Sequence, residues 1–388
     1  MRATRAILDL ARPVSSRAPP PLVYNLGISY AAKHSPPFVP HNAHPASAGF
    51  SGQPSKLGKW VDTMKALPAG RGELEPTKDE HEAGKRELDL QMAVNKWGAG
   101  EDFFAVVSTD TFWSAGADVG ADTMEVWGYG ALLHSTHIAA SDGVGGWAPQ
   151  FDPSLYSQAL MFHYAQALTA SPSMAPWEAL NRAYAAVEAD DNVKAGSATA
   201  VGVSMGETGK GQAINLGDSG LTILRNGKPV FESLAQTHFF NCPYQLSKTP
   251  PSMRSPDLIT DTPAQADKFE FDLEPGDVVL LYTDGMSDNL PAERIPLLNA
   301  AVLQTLELEA NADLSVEEKR AAHARLLADV LVAASRYGMC FSGEEDLSKG
   351  GAWKTPFEIE AKKNRRDFIG GKIDDVTVLA VTVAERLG

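Results

Sequence analysis

Short apolar runs that stop at an acid set the pattern of this chain. Ile138 to Ala140 leads into Ser141, Asp142 and a turn studded with Gly143, Gly145 and Gly146, and Val278 to Tyr282 leads into Thr283, Asp284 and Gly285. Near the C-terminus the order is inverted, with Asp374 and Asp375 placed just before the β-branched run VTVLAVTV of residues 376–383. Short apolar runs rich in β-branched residues and bounded by turn residues predict buried strands. These strands would deliver carboxylates to one rim of a sheet. Asp-Gly between alternating apolar runs is also the strongest short hairpin signal, but neither Asp142-Gly143 nor Asp284-Gly285 is followed by a resumed alternating strand.

The remaining pattern fills in around these runs. Tyr24 to Ala32 alternates as a first strand ending at Lys33, and residues 100–107 (GEDFFAVV) place Glu101 and Asp102 at the mouth of another. Between them, His34 to Gly72 is rich in Pro, Ser, Gly and His and reads as a long loop or insertion, and the charged segment Glu73 to Lys96 as a solvated helix. His34, His41 and His44 fall in that Pro-rich stretch and read as solvated. Helical spacing of apolar residues predicts helices over Pro153 to Ala170, Pro176 to Ala189 and Leu314 to Arg336. His163 reads as a satisfied interface residue. Gly196 to Met205, Gln212 to Leu224 and Pro229 to Ser233, the last after an Asn226-Gly227 turn, form an antiparallel run, with Asp218 between glycines inside it. Gln236 to Leu246 reads as a structured aromatic loop over the site, and Cys340 to Arg366 as a polar insertion. Helices followed by runs of strands give an α+β class.

Composition narrows the function. The 34 basic against 49 acidic residues, net −15, argue against nucleic acid as a partner. No apolar run approaches the ~20 residues of a membrane span, and the cysteines, Cys242 and Cys340, have no metal-ligand spacing and read as reduced, buried thiols. The first sixty residues break the acidic trend: Arg2, Arg5, Arg12 and Arg17 stand against Asp9 alone, with Arg2, Arg5, Asp9 and Arg12 on one helical face and Ala3, Ile7 and Leu10 on another. That is the amphipathic, acid-poor pattern of an organelle transit peptide, so residues 1–20 are expected to be a mitochondrial leader.

Aspartates at several strand ends, with no histidine or cysteine at comparable positions, describe an all-oxygen site for hard cations such as Mg²⁺ or Mn²⁺. Two such ions sharing a carboxylate lower the pKa of a water and neutralise phosphoryl oxygens during in-line attack. No GxSxG, HEXXH, C-x5-R or Walker loop offers a nucleophilic or nucleotide-binding alternative.

The motifs GED (100–102), DGVGGW (142–147), GSATA with GDSG (196–220), TDGMSDN (283–289) and KIDDVTV (372–378), in this order, make the chain resemble the metal-dependent serine/threonine protein phosphatases of the 2C type, also called the PPM family. DGVGGW, HFFNCPYQLS and GGKIDDVTVL resemble its mitochondrial branch. The resemblance implies a β-sandwich of two antiparallel sheets flanked by helices over residues 21–388, with insertions at 34–95 and 340–369. It also implies an enzyme that hydrolyses phosphoserine and phosphothreonine in mitochondrial matrix phosphoproteins, ubiquinone biosynthesis among their roles. By motif, Asp142 would bridge two Mn²⁺ or Mg²⁺ ions, with the Gly143 carbonyl and Glu101 on one and Asp284 and Asp374 on the other. Asp218, Asp284 and Asp288 match a weaker third site of some members, and Asp375 takes the place of a family asparagine.

Two positions depart from the family. Val144 stands where many members carry a candidate general acid, and Trp97 where they carry a phosphate-binding arginine. Lys33 is the candidate for that missing positive charge. Two other functions share the pattern: a catalytically weak or inactive family member that binds phosphoproteins, and a hydrolase of small phosphoesters.

Overall fold

The computed structural model describes residues 21–39, 49–67, 97–108, 126–127, 130–133, 135–255, 258–308, 311–343 and 352–386. The proposed leader, His41, His44 and the helix expected over Glu73 to Lys96 lie outside the described residues.

In chain order the strands are β1 (Leu22–Ala31), β2 (Phe103–Ser108), β3 (Val126–Trp127), β4 (Gly130–Leu133), β5 (Thr136–Ser141), β6 (Gly196–Ala198), β7 (Ala200–Met205) and β8 (Lys210–Leu216). They continue as β9 (Gly220–Arg225), β10 (Lys228–Glu232), β11 (Thr237–Phe239), β12 (Cys242–Pro243), β13 (Leu246–Lys248), β14 (Asp267–Asp272), β15 (Val278–Tyr282) and β16 (Val376–Glu385). The helices are α1 (Lys56–Ala66), α2 (Ser154–Ala170), α3 (Pro176–Ala189), α4 (Asp284–Ser287), α5 (Arg294–Leu306), α6 (Val316–Met339) and α7 (Pro356–Lys363). The larger sheet has the order β10-β9-β15-β16-β1-β4-β3 and the smaller β14-β8-β7-β5-β2. Every pairing within them is antiparallel.

Side-chain alternation along a strand explains the layering. On β16, Leu379, Val381 and Val383 join Leu26 and Ile28 of β1 and Ile138 and Val203 of the smaller sheet in one core. Val376, Val378 and Ala380, on the other face, pack with Leu327, Leu331 and Val332 of α6 in a second. Strands buried on both faces read as continuous apolar runs for this reason. α2 and α3 cover the outer face of the smaller sheet, giving the expected α/β/β/α order. A Ser315–Glu318 capping box starts α6.

Some expectations need correction. The segment read as loop before Gly72 contains α1, whose Leu57, Trp60, Val61 and Met64 are buried at helical spacing and whose first turn is capped by Ser55. The polar insertion, for which no element was expected, contains α7, capped by Thr355. Neither cysteine forms a disulfide, as expected, but Cys242 is half-buried and Cys340 exposed, so neither is a core thiol. The segment Gln212 to Leu224 also divides: β8 lies in the smaller sheet and β9 in the larger, so the chain crosses between sheets at Gly217, Asp218 and Ser219.

Candidate active site

Both sheets build the same device at one end of the sandwich. In the smaller sheet β2 runs antiparallel to β5 with Phe103 opposite Ser141, which sets Glu101 and Asp102, just before β2, beside Asp142, just after β5. In the larger sheet β15 runs antiparallel to β16 with Tyr282 opposite Val378, which sets Asp284 beside Asp374 and Asp375. Asp218 enters from the crossing between the sheets, and Lys33 follows β1, whose Ala31 is opposite Val376.

Polar contacts fix the smaller-sheet half. The Asp142 backbone N–H donates to Thr199 Oγ1 at 3.0 Å, and that hydroxyl lies 2.8 Å from Ser219 Oγ, so the GSATA and GDSG segments together hold the bridging candidate. The Gly143 N–H donates to the Glu101 carbonyl at 3.1 Å. A Cβ at Gly143 would stand 2.6 Å from that carbonyl oxygen, so only glycine lets the turn lie this close. Glu101 directs its carboxylate at Lys33, with Oε2 and Nζ 2.6 Å apart. Its own backbone N–H donates to Asp375 Oδ2 at 2.9 Å, and the Lys33 N–H to Asp375 Oδ1 at 2.7 Å. Asp375 thus ties the ends of β1 and β2 to the start of β16. Asp102 joins the two sheets: it is fully buried, and its Oδ2 accepts from Thr283 Oγ1 at 2.7 Å.

The larger-sheet half is organised by a lysine. Lys372 Nζ lies 2.6 Å from Asp284 Oδ2, 2.7 Å from Asp288 Oδ2 and 2.9 Å from Asp374 Oδ2. The short helix α4 carries Asp284, and the Asp288 N–H closes its turn on the Asp284 carbonyl at 2.7 Å.

Electrostatics separates the halves. Burial, followed by the charges of Asp284, Asp102, Asp374 and Asp218, pushes the Asp142 carboxyl well above the usual carboxylate range. Burial, then the Asp375 charge, does the same to Asp102, and burial with Asp284 and Asp288 to Asp218. Burial also pushes Asp284 upward, but the Lys372 ammonium outweighs it and holds that carboxyl below its ordinary value. Asp374 is raised by burial and by Asp284 against the pull of Lys372. The carboxylates overcome the burial of Lys372 and Lys33 and hold both ammonium groups charged.

Every candidate taken from the sequence therefore lies at this one end of the sandwich: Glu101, Asp142, Gly143, Asp218, Asp284, Asp288, Asp374 and Lys33. Sequence reasoning missed Lys372, Asp102 and the bridging part of Asp375. The signal for Lys372 was its place two residues before Asp374 in a motif whose carboxylates need a counter-charge. Val144 presents no titratable group, and its N–H donates to the Ser197 carbonyl at 2.9 Å. Outside the site, His163 is satisfied by Asp190 at 3.3 Å.

The residues fit hard cations. The donor set is all oxygen, and Oδ1 of Asp102, of Asp218 and of Asp284 is buried without a hydrogen-bond partner, a costly state that a bound cation relieves. Among the described residues no three His, Cys, Asp or Glu side chains already stand in the arrangement a metal ion takes. The Lys372 ammonium sits between the carboxylates of the larger-sheet half instead. A groove of about 780 Å³ opens beside Asp218, Asp284 and Asp288, with Phe239, Phe240 and Phe357 among its walls. No described helix is long and apolar enough to cross a membrane.

Comparison with known proteins agrees with this architecture. Residues 157–336 match the family model described as stage II sporulation protein E. The chain is 32% identical over 266 residues to the mitochondrial protein phosphatase 2C homolog 7 of Saccharomyces cerevisiae, covering 65% of this chain and 71% of that protein. It is 32% identical over 253 residues to the human protein phosphatase PTC7 homolog, covering 64% and 75%. Among solved structures, the photosystem II phosphatase PBCP superposes with a TM-score of 0.50 at 25% identity, over 73% of this chain and 91% of that one. Two antiparallel sheets between helices, a carboxylate-lined end and these relatives together place the chain in the protein phosphatase 2C family, in the branch that contains the PTC7 proteins.

Proposed function

We propose that this chain is a metal-dependent serine/threonine protein phosphatase of the mitochondrion that removes phosphate from phosphoserine and phosphothreonine in matrix proteins, those of ubiquinone biosynthesis among them. The observation that carries the reading is the convergence of two acid-bearing strand ends, one from each sheet, on a common rim. Asp142 would be shared by two Mn²⁺ or Mg²⁺ ions, with Glu101 and the Gly143 carbonyl toward one and Asp284 and Asp374 toward the other. Bound there, the ions would supply an acidified water and neutralise charge on the phosphoryl oxygens.

The chain's own side chains do the rest. Lys33 offers the fixed positive charge for the phosphate that Trp97 cannot, and Glu101 and Asp375 aim its ammonium from 2.6 and 3.5 Å. Val144 has no proton to give the leaving alkoxide, so another group or a water must supply it. Phe239, Phe240 and Phe357 wall the groove beside the acids, which suits a peptide chain better than a small ester. The mitochondrial address rests on the basic leader and on the yeast relative's name.

Hydrolysis of a phosphothreonine peptide by chelated protein, with Mn²⁺ added back, tests the reading against its alternatives. Turnover that needs Mn²⁺ and favours the peptide over p-nitrophenyl phosphate is expected. Metal binding without turnover would favour a phosphoprotein-binding role, and a preference for the small ester a small-phosphoester hydrolase.

A further inference from the structure

We infer that Lys372 is a built-in cation that takes the place of a third metal ion at the outer edge of this site. The inference rests on the metal-centre reading above and concerns the number of ions the chain accepts.

A lysine ammonium has three N–H donors and no acceptor; here it donates to Asp284 Oδ2 at 2.6 Å and Asp288 Oδ2 at 2.7 Å and pairs with Asp374 Oδ2 at 2.9 Å. The position is built, not reached by a loose surface side chain. Asn289, fully buried, donates from Nδ2 to the Lys372 carbonyl at 2.9 Å and accepts the Lys372 N–H on Oδ1 at 2.9 Å, which clamps the lysine backbone on both sides. The Phe357 ring lies 5.1 Å from the ammonium and covers it.

Asp284 and Asp288 are two of the three carboxylates at which a third ion would be held, so an ion there must compete with an ammonium already bonded to both. The inner position at Asp284 and Asp374 shares this ammonium, but it keeps an oxygen of Asp284 that the lysine does not use. Oδ1 of Asp284 is buried and unpartnered while Oδ2 holds the lysine, and a carboxylate has about four lone-pair sites, so it can serve a cation on each oxygen. Lys372 also supplies its charge without any metal, which keeps the larger-sheet acids together in the metal-free chain.

The test is the Mn²⁺ stoichiometry of the chelated full-length chain, read by equilibrium dialysis and calorimetry. Two ions are expected for wild type at saturating Mn²⁺, and three for Lys372→Met, which keeps the length of the side chain and removes its charge. Lys372→Arg, which keeps the charge, should stay at two. Three ions in the wild type, or two in a folded Lys372→Met protein, would overturn the inference while leaving the metal centre standing. If Lys372→Met does not fold, the wild-type and Lys372→Arg counts still decide. No Mn²⁺ bound to the wild type would instead remove the metal-centre reading itself.

Discussion

The two halves of the site are made by one structural rule and differ in charge. Each pairs an acid after one strand with acids before its antiparallel neighbour, β5 with β2 in one sheet and β15 with β16 in the other. On the larger-sheet side Lys372 contacts Asp284, Asp288 and Asp374 and holds Asp284 below its ordinary value, while burial keeps Asp288 and Asp374 raised. On the smaller-sheet side Asp142 has only like charges nearby, and Lys33 is taken up by Glu101 and Asp375. A strand-end geometry can therefore be shared while its electrostatic state is set by a single neighbouring residue. Asp284 is held as the anion by a neighbouring cation, whereas Asp142 meets repulsion that a bound metal would relieve.

Neutralising one acid from each half separates these states. Asp142→Asn and Asp284→Asn should both cut Mn²⁺-dependent turnover by about 10³-fold, since loss of a metal-ligating carboxylate removes several kcal/mol of charge stabilisation. Their metal-free stabilities should diverge. Asp284→Asn breaks a buried ion pair and should lower it by about 3 kcal/mol, whereas Asp142→Asn replaces a carboxyl that burial and like charges already disfavour as an anion and should leave it equal or higher. Urea unfolding in chelator measures both, and equal losses would contradict the asymmetry.

Lys33→Ala should raise KM for the phosphopeptide by roughly 10- to 100-fold, the value of one charge-assisted hydrogen bond. Steady-state kinetics with kcat and KM separated checks this, and unchanged KM would return Lys33 to a purely structural part between Glu101 and Asp375.

The smallest effect concerns the far end of β5, where His137 is buried and burial holds its pKa down at about 4, with Ser204 Oγ 2.5 Å from Nδ1. Its folded value is below the unfolded one of about 6.5, so the unfolded chain binds more protons between these values and stability falls as pH drops through that window. Wild type should lose about 2 kcal/mol more than His137→Asn between pH 6.5 and 4 in denaturant titrations. The site acids are common to both proteins and cancel in the difference; parallel curves would show that His137 does not stay neutral.

How far the sequence announced this site depends on which residue is asked. Asp142 and Asp284 were legible because an apolar strand followed by a glycine turn places an acid at a rim, and Glu101 and Asp374 because they stand just before a strand in motifs that resemble those of the family. Lys372 was not, because a lysine close to an aspartate ordinarily reads as solvated, and only the fold brings Asp284 and Asp288 to it from 88 and 84 residues away. The α1 helix was hidden by its Pro-, Ser- and Gly-rich surroundings although its 57, 60, 61, 64 spacing was present. The passage of Asp218 from one sheet to the other was invisible for a different reason: alternation marks β8 and β9 as strands but carries no information about which sheet each joins.

Anomalous diffraction from a crystal of the full chain soaked in Mn²⁺ tests the central claim most directly. The account predicts peaks bounded by Asp142, the Gly143 carbonyl, Asp284 and Asp374, with the Lys372 ammonium still between Asp284 and Asp288. Peaks elsewhere, or none at the junction of the two strand-end pairs, would contradict it.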